Sequence, residues 1–315
     1  MLKPTIIPSA TSAVFRSIFL FFFSPKSKAR FEKGLFSLAI TTFFIHFLLI
    51  LLSNGGYLPY WLVGTTGIQN PIDSIYTPFS IILIFEVYLL IYYLPSSITS
   101  YLGRQYEVIA LIFIRQLFSD LSALSGEGVI IDIHSLSMLS LSFAGLLVLF
   151  LLIFLFYKLS GRKEVRFDED KTMTAAERRF VLSKKVMSLV LMLVFVVLFF
   201  RSIVLVGDIE LTIANIPEII KTASDYFFST LFVALILSEV LLLLLTFNLT
   251  DKFHKIMRNS GFIISTILLK ISFMVQGVNN ILVVLIAVAF GVAVEGIYRL
   301  YETKIENIDD KTFTL

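Results

Sequence analysis

The chain of 315 residues is 57% hydrophobic and only 16% charged, whereas an ordinary soluble domain has roughly 45–50% apolar and about 25% charged residues. The composition therefore excludes a soluble globular protein and indicates a membrane protein. A net charge of only +3 and the absence of cysteine exclude a nucleic-acid partner, disulfides and thiolate metal sites, but they do not identify the redox compartment.

The N-terminal segment carries six Lys and Arg within residues 1–33. Residues 18–23 read IFLFFF, but this run is too short for a signal peptide and has no small-residue cleavage site. Pro25 and the charges after it end the run. We interpret residues 10–23 as an interfacial helix on the inner leaflet, with its cations near anionic headgroups. A disordered tail is the alternative.

Eight apolar segments are candidates to cross roughly 30 Å of hydrocarbon, a distance that takes about 20 helical residues. They are residues 34–53, 75–95, 105–124, 136–158, 184–206, 226–249, 260–276 and 280–300. Two of them, 105–124 and 260–276, each carry a cation near the midpoint. Hydropathy alone does not decide those two segments.

The placement of Lys and Arg favours all eight spans, because cytoplasmic loops are enriched in these residues. Basic clusters occur in residues 1–33, 158–185 and 251–258, whereas residues 54–73 have no Lys or Arg. Arg104 falls on the basic side only if 105–124 is a span. We therefore expect both termini in the cytoplasm, and a multi-pass protein of the cell membrane of the bacterial inner-membrane type.

The two halves of the chain repeat one order of charges. Each half has an aspartate before its second span, a glutamate within that span, an arginine in the next turn and a cation within the third span. These residues are Asp73, Glu86, Arg104 and Arg115 in the first half and Asp225, Glu239, Arg258 and Lys270 in the second. Four spans per half predict parallel repeats about an axis along the membrane normal. A chance match of spacing is the alternative.

The predicted fold class is thus all-α: a polytopic membrane protein with eight transmembrane helices in two parallel four-helix repeats and cytoplasmic termini. The segments are an interfacial N-terminal segment (1–33), the first repeat (34–158), a basic cytoplasmic linker (159–183), the second repeat (184–300) and a cytoplasmic tail (301–315).

The candidate functional residues are four charges inside the spans, since each costs about 2.5–3.5 kcal/mol at a helix centre. Counting from turns near Ser100 and residues 254–255 pairs each glutamate with a cation at one depth, about 20 Å from the inner surface. The predicted pairs are Glu86 with Arg115 and Glu239 with Lys270. They line or gate an ion path, or they only lock helices together.

Three further polar residues are secondary candidates. His46 in the first span and Arg201 in the fifth lie at roughly equivalent places in the two halves. For His46 we favour a hydrogen bond to a neighbour over a proton carrier, and we expect Arg201 to extend toward the outer surface. Asp120 lies near the outer end of its span, where an aqueous vestibule would reach it.

No motif for an enzyme, a cofactor or a metal is present: the chain has no HExxH, GxSxG or phosphate-binding glycine loop. We therefore expect an ion channel or an ion-coupled transporter for a monovalent cation or a proton. The alternative is a non-transporting scaffold or a subunit of a larger membrane complex. The expected partners are the lipid bilayer and either a second copy of the chain or other membrane subunits.

Overall fold

The computed structural model describes residues 9–59, 71–124, 133–161, 175–206, 216–247, 253–272 and 278–312. The secondary structure in these ranges is helical. The helices are α1 (Ser9–Phe23), α2 (Pro25–Asn54), α3 (Tyr76–Tyr92), α4 (Ile98–Leu124), α5 (Ile133–Ser160), α6 (Ala175–Val206), α7 (Ile216–Thr246), α8 (Phe253–Ser272) and α9 (Val278–Thr312), and a 3-10 helix, Pro71–Ile75, precedes α3.

Five stretches of the described residues are long and apolar enough to cross a membrane. They are Pro25–Asn54, Leu136–Ser160, Glu177–Ser202, Tyr226–Thr246 and Asn280–Lys304. Each coincides with a predicted span, and together they identify a multi-pass helical membrane protein. The apolar part of α3, Thr77–Tyr92, is shorter.

The long apolar helices turn their hydrophobic side chains outward. In α6 the large exposed residues recur every three or four positions and so form one face of the helix. They are Leu182, Val186, Val190, Leu193, Val197, Phe200 and Val204. The opposite face of α6 holds the buried Leu191, Phe195 and Leu198. A continuous apolar outer face is what lipid tails require of a spanning helix.

The hairpin of α3 and α4 forms the centre of the bundle. No residue from 77 to 110 is exposed, and this stretch includes the turn between the two helices. Much of α8 is buried as well. These helices carry Glu86, Arg115 and Lys270, and Lys270 lies in the last described turn of α8 rather than at the middle of a span as the sequence predicted. Their enclosure explains how the charges are tolerated, because the charges are surrounded by protein groups that can pair with them rather than by lipid.

The helices extend beyond the predicted spans. Helix α2 begins at Pro25, where the Ser24 hydroxyl oxygen accepts a hydrogen bond from the Ser27 amide at 3.1 Å. Helix α9 continues to Thr312. Hydropathy marks only the part of a helix that is suited to lipid, whereas helical backbone hydrogen bonds continue through polar residues. Residues 162–174 of the predicted linker lie outside the described residues.

The turn between α3 and α4 is at residues 93–97 rather than near Ser100, so Arg104 lies within α4 and not in the turn. Leu94 and Pro95 of this turn are buried. Helix α1 packs beside it, where the Phe23 ring stacks on Tyr92 with 6.1 Å between centroids. The turn is thus recessed into the protein and covered.

Helix α9 approaches the central hairpin closely at Gly291. A Cβ atom at this position would lie 1.8 Å from the hydroxyl oxygen of Tyr106, which is fully buried and hydrogen-bonded to Ser265 at 2.8 Å. Gly291→Ala therefore displaces a buried tyrosine, and we expect it to lower the free energy of unfolding by about 1–3 kcal/mol. Thermal unfolding in detergent measures this effect.

Gly296 is the matched control on the same helix, because a Cβ atom there would meet nothing within 4 Å. Gly296→Ala is expected to be neutral or to stabilise by up to about 1 kcal/mol through helix propensity. Equal unfolding temperatures for the two alanine variants would contradict the close approach.

Candidate functional site

Glu239 of α7 and Lys270 of α8 form a tight, enclosed ion pair. The Lys270 Nζ atom lies 2.5 Å from Glu239 Oε1, and the two side chains are 1% and 0% exposed. Two groups of α4 complete the cluster. The Tyr101 hydroxyl donates to Glu239 Oε1 at 2.6 Å, and Lys270 Nζ donates to Gln105 Oε1 at 3.2 Å. We call Tyr101, Gln105, Glu239 and Lys270 the inner cluster.

Helical spacing brings the members of the inner cluster together. Tyr101 and Gln105 are four residues apart, so they share one face of α4. The Gln105 amide nitrogen in turn donates to the Leu90 carbonyl of α3 at 3.3 Å, which fixes the side chain. The cluster therefore joins two helices from each predicted half.

Glu86 of α3 and Arg115 of α4 are also brought together, but more loosely. The Arg115 Nε atom lies 3.6 Å from Glu86 Oε2, which is longer than a normal hydrogen bond. Both atoms are buried, and neither has a hydrogen-bond partner among the residues that the structure describes. The Arg115 side chain is 21% exposed, against 4% for Glu86. We call Glu86 and Arg115 the outer pair.

The inner cluster and the outer pair lie at different levels along α4, whereas the sequence pattern placed both charge pairs at one depth. Gln105 contacts Lys270, while Arg115 lies ten residues further along α4, which is about 15 Å of helix. The difference reflects how far the α3–α4 hairpin is displaced along the α7–α8 hairpin.

The secondary candidates lie elsewhere in the bundle. His46 is buried, and its Nδ1 atom is 2.8 Å from the hydroxyl oxygen of Thr77, in keeping with the predicted hydrogen bond to a neighbour. Arg201 is exposed, and its guanidinium lies 5.8 Å from the centroid of the Tyr226 ring. Asp120 belongs to α4, but its side chain lies outside the described part of the chain.

The sequence pattern counted Lys184 among the inner-side bases of residues 158–185, at the start of the fifth span (184–206), whereas the structure buries it. Its Nζ atom donates to the Ser96 carbonyl in the recessed turn and lies 5.9 Å from the centroid of the Tyr101 ring. The signal available in the sequence was helical spacing: Lys184 and the buried Ser188 are four residues apart on the face of α6 that points inward.

Comparison with models of protein families, with curated proteins and with solved structures finds no match for this chain. Within the described ranges, no group of three or more His, Asp or Glu residues is arranged to hold a metal ion.

The two charge pairs are expected to differ in energetic coupling. Removing one partner of a buried pair costs about 3–5 kcal/mol, because the other charge is left uncompensated. Glu239→Gln and Lys270→Met should each destabilise by this amount, and the double variant should recover a large part of the loss. Across Glu86→Gln and Arg115→Met we expect a smaller coupling, near the lower end of the roughly 0.5–3 kcal/mol found for contacting residues, because the paired atoms are 3.6 Å apart and the Arg115 side chain is partly exposed.

Both couplings are measured by double-mutant cycles on the unfolding equilibrium in detergent. Equal coupling energies for the two pairs would contradict the distinction between a tight inner pair and a loose outer one.

Proposed function

We propose that this multi-pass membrane protein is an ion-coupled transporter or an ion channel that moves a monovalent cation or a proton along α4. The proposal rests on one observation: polar groups lie at successive levels along this helix. Tyr101 and Gln105 belong to the inner cluster, and Arg115 belongs to the outer pair. Next to it, Gln116 Oε1 faces Asn280 Nδ2 of α9 at 3.5 Å.

Glu86 of the outer pair is suited to exchange Arg115 for a cation or a proton. Among the described residues Glu86 Oε2 accepts no hydrogen bond, so Arg115 at 3.6 Å compensates its desolvation only in part. A cation or a proton at Glu86 Oε2 would remove the remaining cost. In the inner cluster Lys270 contacts oxygens of Glu239 and Gln105 at close range. This arrangement suits a barrier to the passage of ions.

Contacts between helix ends support the proposed eight crossings and cytoplasmic termini. Residues that the placement of Lys and Arg assigns to the inner side of the membrane form contacts with one another. The Lys28 Nζ atom at the start of α2 donates to the Tyr93 hydroxyl at 2.7 Å, and the Arg299 Nη2 atom of α9 donates to the Ser160 carbonyl at the end of α5 at 3.0 Å. Lys184 at the start of α6 reaches the same turn as Lys28.

The opposite helix ends also meet one another, in the contacts of His46 with Thr77, Gln116 with Asn280 and Arg201 with Tyr226. Helix α4 thus has one end among the basic residues and the other at the opposite end of the bundle. This supports counting α4 as a full crossing despite Arg115.

The order of helix packing supports the proposed repeat. Within the first half α2 packs on α3, α3 on α4 and α4 on α5, and α6 to α9 pack in the same order. Across the halves α3 contacts α6 and α7, α4 contacts α8 and α5 contacts α9. The two rows of helices thus face each other in the same order, whereas a two-fold axis along the membrane normal would reverse one row, so the packing supports the repeated order and not a two-fold relation.

The transport proposal is tested by flux of Na+, K+ and protons into liposomes that contain the purified protein. We expect ion-dependent flux in the wild type and at least a tenfold loss in Glu86→Gln, since the exchangeable carboxylate is removed. Glu302→Gln is the matched control, because Glu302 is 39% exposed near the end of α9 and lies in neither pair.

Flux that is unchanged in the Glu86→Gln plus Glu239→Gln double variant would contradict the proposal. No flux under any gradient from a correctly folded protein would favour the alternative of a scaffold or a subunit of a larger membrane complex. The complete enclosure of Glu239 and Lys270 is the observation that suits this alternative, because such a pair holds helices in register.

The crossings are tested by single-cysteine labelling, which needs no background removal because the chain has no cysteine. Under eight crossings, Asn54→Cys and Ile133→Cys react with a membrane-impermeant maleimide from outside the cell, whereas Lys26→Cys and Lys304→Cys react only after permeabilisation. All four positions are exposed. If Ile133→Cys reacts only after permeabilisation, α4 does not cross the membrane.

A further inference from the structure

We infer that the inner cluster is an occluded site for a monovalent metal cation, and that the ammonium of Lys270 is a tethered substitute for that cation. The inference concerns equilibrium binding at Glu239. It does not depend on whether the protein transports an ion.

The position of the Lys270 ammonium, which we call the seat, is lined by oxygen atoms and enclosed by protein. Lys270 Nζ contacts Glu239 Oε1 at 2.5 Å and Gln105 Oε1 at 3.2 Å. The residues Tyr101, Gln105, Glu239 and Lys270 are all no more than 3% exposed. A lysine ammonium is a compact single positive charge. An alkali cation that has lost its hydration shell carries the same charge and binds carboxylate and carbonyl oxygens in the same way.

The seat has one more oxygen than the ammonium uses. Glu239 Oε2 is buried and has no hydrogen-bond partner among the described residues. Such an oxygen is costly for a site that serves only to pair with lysine. A metal cation in place of the ammonium has Glu239 Oε1 and the Gln105 amide oxygen as ligands, and a rotation of the carboxylate would add Oε2. The Tyr101 hydroxyl oxygen lies 2.6 Å from Glu239 Oε1.

The seat also depends on both halves of the chain. Glu239 and Lys270 come from α7 and α8, whereas Tyr101 and Gln105 come from α4. A bound cation, like the ammonium, therefore holds the two halves together, and its removal leaves a buried carboxylate that favours separating them.

The test removes the tethered ammonium and asks whether a free cation replaces it. Lys270→Ala leaves a void beside an unpaired Glu239, so the variant should be destabilised in N-methylglucamine chloride, a cation too large to enter. Addition of Na+, Li+ or K+ at constant ionic strength should raise its unfolding temperature in a saturable manner. At ten times the dissociation constant we expect a rise of about 3 °C.

The double variant Lys270→Ala plus Glu239→Gln is the control. This variant keeps the void and the outer pair but lacks the carboxylate of Glu239. Its unfolding temperature should therefore change with the added cation no more than the unfolding temperature of the wild-type protein does. Methylammonium, which resembles the lost lysine head, should also stabilise Lys270→Ala.

Three outcomes would overturn the inference. They are a folded Lys270→Ala protein that responds to no metal cation, the same response in the double variant, and rescue by methylammonium or acid alone. If Lys270→Ala is too unstable to purify in N-methylglucamine, the yield of monodisperse protein in Na+ against N-methylglucamine is the readout, and equal yields would overturn the inference. Because no ion gradient is involved, failure here leaves the transport proposal standing, and failed flux leaves this inference standing.

Discussion

A carboxylate and an ammonium inside a membrane bundle must compensate each other, and the packing around Glu239 and Lys270 follows from that constraint. Both side chains are almost completely enclosed, so bulk water does not solvate their charges. Tyr101 and Gln105 supply additional hydrogen bonds to the pair, and this requires α4 to lie against α7 and α8. The central position of the α3–α4 hairpin, with lipid-facing helices around it, is the arrangement that meets this requirement.

The sequence was a good guide to helices and to charge partners within each half. Apolar length located the five helices that are long enough to span a membrane, and both predicted charge partnerships are present, Glu86 with Arg115 and Glu239 with Lys270. The count behind the first partnership used a turn near Ser100, whereas the turn is at residues 93–97 and is not equally distant from Glu86 and Arg115. The relative depth of the two pairs was not predictable in this way. It depends on how far one hairpin is displaced along the other, and side-chain packing between the halves sets that displacement.

The same limit explains why Tyr101, Gln105 and Lys184 were missed. Their partners in the bundle are distant in the chain, and hydropathy treats a lysine at the edge of an apolar stretch as solvated. Under the proposed repeat, the loose outer pair and the tight inner cluster are two versions of one charge arrangement that differ in how closely the charges meet. In the proposed function Glu86 of the outer pair exchanges an ion, whereas the inner cluster holds the two halves together.

The hydrogen bond from Lys184 to the Ser96 carbonyl ties the start of α6 to the recessed turn of the central hairpin. Tyr101 is five residues beyond Ser96 and donates to Glu239. A short series of contacts therefore leads from the start of α6 to Glu239, the most enclosed carboxylate among the described residues, through one side chain that hydropathy assigns to the solvent.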